Sequence, residues 1–181
     1  KTKRMIILPK KKKWGINEHR PLFKPEMMPV DWLLEAISLG LTGFLCGYAI
    51  YWYSQLPETI PTHFNASGDI DGYGSRSSLW LLPGIAIFIY VLLTLIVLIP
   101  HTFNFPVKLT PQNAKRQYTL AIRMIRILKP ILILLFLLIT VGTVRSATGG
   151  SGGLGIWFMP LFLGMVFTPI IIYLITAMRK N

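Results

Sequence analysis

The sequence predicts an all-α, polytopic membrane protein with four transmembrane helices and both termini in the cytoplasm. Three observations predict this fold. Only 14% of the 181 residues are charged and 52% are hydrophobic, whereas a soluble domain carries about 25% charged residues. The apolar residues are gathered into four long runs, and the cations alternate from one connection to the next. These features exclude a soluble globular enzyme and a disordered basic tail.

Each apolar run is long enough for a helix to cross a hydrocarbon core of roughly 30 Å. Helices are favoured because every backbone group in hydrocarbon must be paired within its own segment. The alternating pattern of a membrane β-barrel is absent. The predicted helices cover residues 32–53, 79–100, 120–144 and 154–178. The membrane domain covers residues 31–178 and includes an external loop at residues 54–78. Residues 1–30 precede it as a basic cytoplasmic segment, and residues 179–181 follow it as a cytoplasmic tail.

The Lys and Arg distribution predicts the orientation. Seventeen of the 19 Lys and Arg residues lie in the N-terminal segment, in the second connection with the start of the third helix, or in the tail. The first and third connections hold only Arg76 and Arg145. Cytoplasmic loops carry the Lys/Arg excess, so both termini are predicted inside a bacterial cytoplasmic membrane. Aromatic residues, which prefer the headgroup level, mark the outer end: Tyr48, Tyr51, Trp52, Tyr53, Trp80 and Trp157.

Several functional classes lack their usual residues. Cys46 is the single cysteine and cannot form an intramolecular disulfide. There is no nucleophile–base pair, phosphate-binding loop or His/Cys cluster, so we expect no enzyme, catalytic residue, metal or cofactor. No ionisable residue lies near the predicted midplane, which argues against a transporter. Nucleic acid is not an expected partner, because no folded reader domain accompanies the positive charge.

The N-terminal segment carries four consecutive lysines, Lys10, Lys11, Lys12 and Lys13. Such a run beside a membrane attracts anionic lipid headgroups, at about 1 kcal/mol per cation. We therefore expect it to set the topology and to contact lipid. The alternative is a docking arm for an acidic protein partner.

Charged residues recur at the inner ends of the first and third helices. Asp31 is positioned to cap the first helix, and Glu35 follows one turn later on the same face. Arg123, Arg126 and Lys129 enter the third helix at the same depth. We predict that Glu35 faces this cationic stripe. The alternative is that each charge reaches the cytoplasmic interface alone.

The first helix also carries small residues four apart, Ala36 with Gly40 and Gly43 with Gly47. Such pairs let two membrane helices approach closely. We expect packing inside the four-helix domain rather than a dimer face. Separately, residues 60–65 are echoed by residues 99–104, as in an inverted repeat or by coincidence.

The external loop supplies the candidate binding residues His63, Asn65, Asp69, Asp71 and Arg76. These side chains can contact a ligand or a protein partner. The alternative is that they hold the loop's own backbone through turns and caps. A zinc site requires more His, Cys or carboxylate ligands at firm spacing, so no metal site is expected.

The loop carries a run of Pro, aromatic, polar and Gly residues at fixed spacing: Leu56-Pro57, Ile60-Pro61, His63-Phe64-Asn65, Gly68, Asp71-Gly72-Tyr73-Gly74 and Leu81-Leu82-Pro83. With this motif, the loop and its flanking helices resemble a bacterial membrane domain family of unassigned function. The same domain forms the N-terminal half of the SdpI-type toxin-immunity and signalling proteins. The resemblance covers roughly residues 32–145 and implies an inner-membrane sensor or immunity factor. The full immunity proteins carry a second membrane half, whereas one further helix follows here.

Two functions remain open. In the first, the protein is a small membrane sensor or immunity-type protein. Its external loop binds a ligand or partner that biases two arrangements of the helices, and its basic inner face engages a cytoplasmic partner. In the second, it is a non-catalytic accessory or structural subunit of a larger membrane complex. Packing glycines without catalytic residues suit that role.

Overall fold

The computed structural model describes residue 20, residues 26–150 and residues 152–179. Within these residues the chain is mostly helical, and four helices are long and apolar enough to cross a membrane. The predicted helical membrane fold is therefore confirmed. Lys10–Lys13 lie outside the described residues.

The helices are α1 (Pro29–Tyr53), α2 (Leu81–Ile96), α3 (Ala114–Ala147) and α4 (Phe158–Met178). The connection between α1 and α2, predicted to be a loop, forms an antiparallel β-hairpin of β1 (Thr59–Phe64) and β2 (Ile70–Ser75). Short 3-10 helices cover Arg76–Trp80 and Pro100–Thr102. We call the end of the bundle that carries the hairpin the hairpin end. The terminal end is the other, where α1 starts and α4 finishes.

Helix α3 lies at the centre of the fold. It packs against α1, α2, α4 and β1. With 34 residues it is about 50 Å long at 1.5 Å per residue. It starts at Ala114 rather than at residue 120, because hydropathy does not reveal its polar first turns. There, the Gln117 side chain donates a hydrogen bond of 2.9 Å to the Ala177 carbonyl at the end of α4.

Two groups of buried apolar side chains join α3 to its neighbours. Leu45, Ala86, Ile133 and Leu137 pack where α1, α2 and α3 meet. Nearer the hairpin end, Ala49, Leu56, Ile60, Leu79 and Val144 join the hairpin to the helices. Helix α4 contacts α3 but is little covered, with 6% of its most apolar stretch buried against 44% for α3. The described helices therefore form a three-helix unit with α4 attached along α3.

The small residues of α1 face outwards, so the expectation that they pack inside the domain is wrong. A Cβ atom added to Gly40, Gly43 or Gly47 would meet nothing within 4 Å. The inward face of α1 is instead formed by residues that recur every three or four positions on its opposite side: Ser38, Thr42, Leu45 and Ala49. The glycine spacing identifies a smooth helix face but does not say which way it points.

Asp31 does not cap α1 as the sequence suggested. Met28 precedes the first helical residue, and the Asp31 carboxylate reaches back to accept a hydrogen bond of 2.8 Å from the Met28 N–H. The helix starts earlier because Pro29 is favourable in its first turn. The echo between residues 60–65 and residues 99–104 has no structural counterpart, because the first is strand β1 and the second a 3-10 turn.

The outward face of α1 and the packed interior of the bundle should respond differently in stability to a larger side chain. Gly43→Leu places its side chain in open space, so the thermal unfolding midpoint in detergent should stay near that of the wild type. Ala86→Leu places the same side chain at a fully buried position, where overpacking costs about 1–3 kcal/mol. Its midpoint should fall. Equal midpoints for the two variants would contradict this packing.

Candidate functional site

The turn of the hairpin is built by Asn65. Its side-chain oxygen accepts hydrogen bonds from the N–H groups of Ser67 and Asp69, at 2.9 and 3.0 Å. Its own N–H donates to the Asp69 carbonyl at 2.9 Å. Gly68 supplies the positive φ of 82° that closes the turn. The side-chain oxygen of Asn65 thus holds the backbone of the turn, and Asp69 takes part through its own N–H and carbonyl groups.

His63 and Asp71 meet across the two strands. The His63 Nδ1 atom lies 2.5 Å from an Asp71 carboxylate oxygen. Gly72 stands opposite His63, and a Cβ at Gly72 would come within 2.9 Å of the His63 Cβ. Because Gly72 has no Cβ, it leaves room for the His63 side chain at this position. The side chains are 71% and 43% exposed, and such exposed pairs contribute about 0–1 kcal/mol.

Arg76 ties the base of the hairpin to the end of α1. Its guanidinium donates a hydrogen bond of 3.1 Å to the Leu56 carbonyl and stacks 4.9 Å from the centre of the Tyr53 ring. These contacts occupy a side chain that the sequence analysis assigned to binding. The five candidate residues of the loop therefore do not form one site: two pair across the strands, two build the turn, and Arg76 anchors the base.

The hairpin turn is docked on the connection between α3 and α4. The Gly68 carbonyl accepts a hydrogen bond of 2.7 Å from the Leu154 N–H. Gly68 is buried, and a Cβ there would collide with the backbone of Gly155. A Cβ on Gly153 would likewise collide with Gly68. This close backbone contact fixes the hairpin over the ends of the helices.

A cavity of about 380 Å³ lies beneath the hairpin, and we call it the hairpin chamber. This volume falls within the roughly 300–1,000 Å³ of small-molecule sites. Apolar side chains form most of its wall, and Thr140 and Thr143 of α3 are among its polar lining residues. The chamber is lined by residues 60–65 of β1 and the turn, Ser78, Leu79, Leu81 and Leu82 before and in α2, Ile139, Thr140 and Thr143 of α3, and Leu154, Phe158 and Met159.

Sequence reasoning missed Thr140, Thr143 and Phe158 as part of this site. The two threonines lie one turn apart within an apolar run, which is a weak signal. Both are buried, at 1% and 7% exposure. Nothing in the sequence placed them under the hairpin, because the strands and the docking contact were not foreseen.

A second group of polar residues lies buried near the terminal end of the three-helix unit. The Lys129 side chain has no exposed surface. Its ammonium group contacts the Glu35 carboxylate at 2.6 Å and the Thr94 hydroxyl at 2.8 Å, and lies 4.9 Å from the centre of the Tyr90 ring. Lys129 therefore joins α1, α2 and α3 at one point and does not reach the interface alone.

Arg126 completes this group, which we call the ion cluster: Asp31, Glu35, Arg126 and Lys129. The Arg126 guanidinium lies 3.1 Å from the Asp31 carboxylate and 3.6 Å from that of Glu35. Two acids thus balance two bases. The structure brings Glu35 to the cationic stripe, as predicted.

Arg123 is the exception, and its assignment to this ion pairing is corrected. Its guanidinium contacts the sulfur of Met28 instead. One turn before Arg126, it lies on the side of α3 that borders α4, whereas the carboxylates project from α1.

The described residues contain no group of three or more His, Cys, Asp or Glu side chains arranged to hold a metal ion. The hairpin chamber offers apolar walls with a few hydrogen-bonding groups. Such a surface can bind a largely apolar molecule with one or two polar groups. In the ion cluster, in contrast, each charge lies beside an opposite charge of the protein, although Asp31 Oδ1 and Arg126 Nε have no hydrogen-bond partner among the described residues.

Comparisons with known proteins point to the hairpin region. Residues 40–87 match a family described as a domain of unknown function (DUF1648). An uncharacterized protein of Archaeoglobus fulgidus is 33% identical over 108 residues, which cover 55% of this chain and 59% of that protein. No solved structure matches this chain. The chain is thus similar to a membrane domain family of unassigned function, and the matched part includes the hairpin with the adjoining parts of α1 and α2.

The docking of the turn predicts a strong response to one methyl group. Gly68→Ala should undock the hairpin, because the added Cβ collides with Gly155 and a positive φ disfavours alanine; the cost is about 1–3 kcal/mol. Faster amide exchange of residues 60–75 and 152–157 would report it. Gly152→Ala is the matched control, since its Cβ meets only Ile70 at 3.8 Å. Unchanged exchange in Gly68→Ala would contradict the docking.

The ion cluster predicts a non-additive double-mutant cycle. Lys129→Met alone leaves the partly buried Glu35 carboxylate without its nearest cation; fully buried pairs lose about 3–5 kcal/mol, and the loss here should be smaller. Adding Glu35→Gln should recover part of that loss. The measurement is the unfolding free energy of wild type, both single variants and the double variant. Simple additivity would show that the two side chains do not interact.

Proposed function

We propose that this small multi-pass membrane protein is a sensor or immunity-type protein that binds its ligand in the hairpin chamber. The observation that carries the proposal is the lining of that chamber: the motif segment Ile60–Asn65 forms one wall, and α2, α3 and α4 form the others. A ligand there touches the hairpin and three helices at once. Because a ligand shifts a conformational equilibrium through its different contacts in the two states, this is the place from which binding can act on the bundle.

Helix α3 supplies the route for a response. It lines the chamber with Thr140 and Thr143 and carries Arg126 and Lys129 of the ion cluster. A ligand that moves the hairpin end of α3 therefore acts on an element that is tied to α1 and α2 farther along. The resemblance of the hairpin motif to the SdpI-type immunity proteins favours this role, whereas the family that matches residues 40–87 has no assigned function.

We propose further that the hairpin faces outwards and that both termini lie in the cytoplasm of a bacterial cell. The Lys/Arg excess at the terminal end supports this orientation. At the hairpin end, the rings of Tyr53 and Trp80 pack 5.5 Å apart, and Trp157 is exposed, as suits a membrane interface. An acidic cytoplasmic partner and anionic lipids then face the basic side.

The second candidate is an accessory subunit of a larger membrane complex. Two uncovered surfaces favour it. The Gly40, Gly43 and Gly47 face of α1 meets nothing within 4 Å, and α4 has 6% of its most apolar stretch buried. Both surfaces could pack against another membrane protein. In this role the chamber would be a packing defect rather than a binding site.

A chamber-filling variant tests the sensor proposal. The protein is extracted gently from its own membrane, and the molecules that stay bound are identified by native mass spectrometry. Wild type should retain a small molecule that Thr143→Phe loses at least about tenfold, which corresponds to 1.4 kcal/mol. Gly84→Phe is the control, since its added side chain starts in open space on α2. Identical bound molecules on all three proteins would contradict chamber binding.

The same preparation tests the alternative. A membrane protein present in equal amount, and lost in Gly43→Leu but not in Thr143→Phe, would favour the accessory role. The sensor proposal expects Gly43→Leu to keep the small molecule of the wild type.

A further inference from the structure

A long apolar groove runs between α3 and α4 on the lipid-facing side of the bundle. Its volume is about 730 Å³, and we call it the α3–α4 groove. Gly164 widens it, since this position adds no side chain and a Cβ there would meet nothing within 4 Å. The groove is lined by residues of α3 (Leu120, Arg123, Met124, Ile127 and Ile131) and by residues 160–176 of α4.

The groove has the length and direction of a lipid chain. From Leu120 to Ile131 it follows α3 for about 16 Å at 1.5 Å per residue. One end lies near Thr176, close to the terminal end, and the other near Pro160, farther into the bundle. A hydrocarbon chain that entered from the terminal-end leaflet would lie along it.

Among the residues that the structure describes, Arg123 is the charged side chain that lines the groove. Its Nε atom is buried and has no hydrogen-bond partner. One terminal nitrogen contacts the Met28 sulfur, which is a weak acceptor. The nearby carboxylates of Asp31 and Glu35 pair with Arg126 and Lys129. The Arg123 guanidinium thus lies near the terminal end of an apolar groove, and its Nε atom has no hydrogen-bond partner among the described residues.

We propose that the α3–α4 groove binds an anionic phospholipid, with one acyl chain along the groove and its phosphate on Arg123. A guanidinium binds phosphate through two parallel charge-assisted hydrogen bonds. Arg116 lies on the same end, bonded to the Thr176 carbonyl at 2.5 Å, and adds to the positive field that attracts anionic headgroups. This site is separate from the hairpin chamber, so it does not depend on the proposed function.

Lipid retention by the full-length protein tests the site. The protein is placed in phosphatidylcholine nanodiscs with increasing fractions of phosphatidylglycerol, released into mild detergent, and examined by native mass spectrometry. Wild type should retain one phosphatidylglycerol in preference to phosphatidylcholine. Arg123→Gln should weaken this retention about tenfold, since a hydrogen bond to a charged group contributes enough for that factor. Gly164→Leu should abolish retention of the lipid by filling the groove while leaving Arg123 in place.

Three matched variants separate this site from general effects. Arg179→Gln removes a charge at the same end outside the groove, and Gly84→Leu adds the same bulk on α2; both should retain lipid as the wild type does. Thr143→Phe should also retain it, which separates this proposal from the chamber. Equal retention of both lipids by wild type, or wild-type retention by Gly164→Leu, would overturn the proposal. So would a wild-type oligomer that Gly164→Leu dissociates without changing lipid retention.

Discussion

The contact of Lys129 with Glu35 and Thr94 is the constraint on which the other helix positions depend. An ammonium group without exposed surface is costly unless its donors are satisfied, and here α1 and α2 each supply an oxygen within 2.8 Å. The rotation of these two helices about α3 is restricted to arrangements that keep both contacts. A buried ion pair need not add net stability over apolar packing. We infer that its effect here is to select one register of the three helices.

That register determines how the hairpin packs on the helices at the hairpin end. With α1, α2 and α3 aligned, Ala49, Leu79 and Val144 meet and receive Leu56 and Ile60 of the hairpin. The turn then reaches the α3–α4 connection, where a glycine contact holds it. The hairpin chamber is the space left between these two attachments. The chamber is therefore produced by packing on both sides of the hairpin, and a ligand bound there, as proposed, would act on that packing.

Sequence reasoning predicted the features that depend on composition and local spacing. Long apolar runs define membrane helices almost independently of tertiary structure, and a shared membrane depth predicted that Arg126 and Lys129 approach Glu35. The same reasoning was wrong for Arg123. Sequence reasoning failed for features whose structure depends on contacts between residues far apart in the sequence. Asp71-Gly72-Tyr73-Gly74 contains two glycines and has little strand propensity, so the hairpin depends on its pairing and docking. Gly43 likewise faces outwards because the opposite face of α1 packs against the other helices.

The most direct test of this account is amide hydrogen exchange of the Lys129→Met variant in nanodiscs, read along the whole chain. If the ion cluster sets the register of the three helices, exchange should rise around residue 129 and also in the distant hairpin, residues 59–75. The exposed face of α4 should change less. An increase confined to the turns of α3 next to residue 129, with the hairpin exchanging as in the wild type, would contradict the claim that this contact organises the fold.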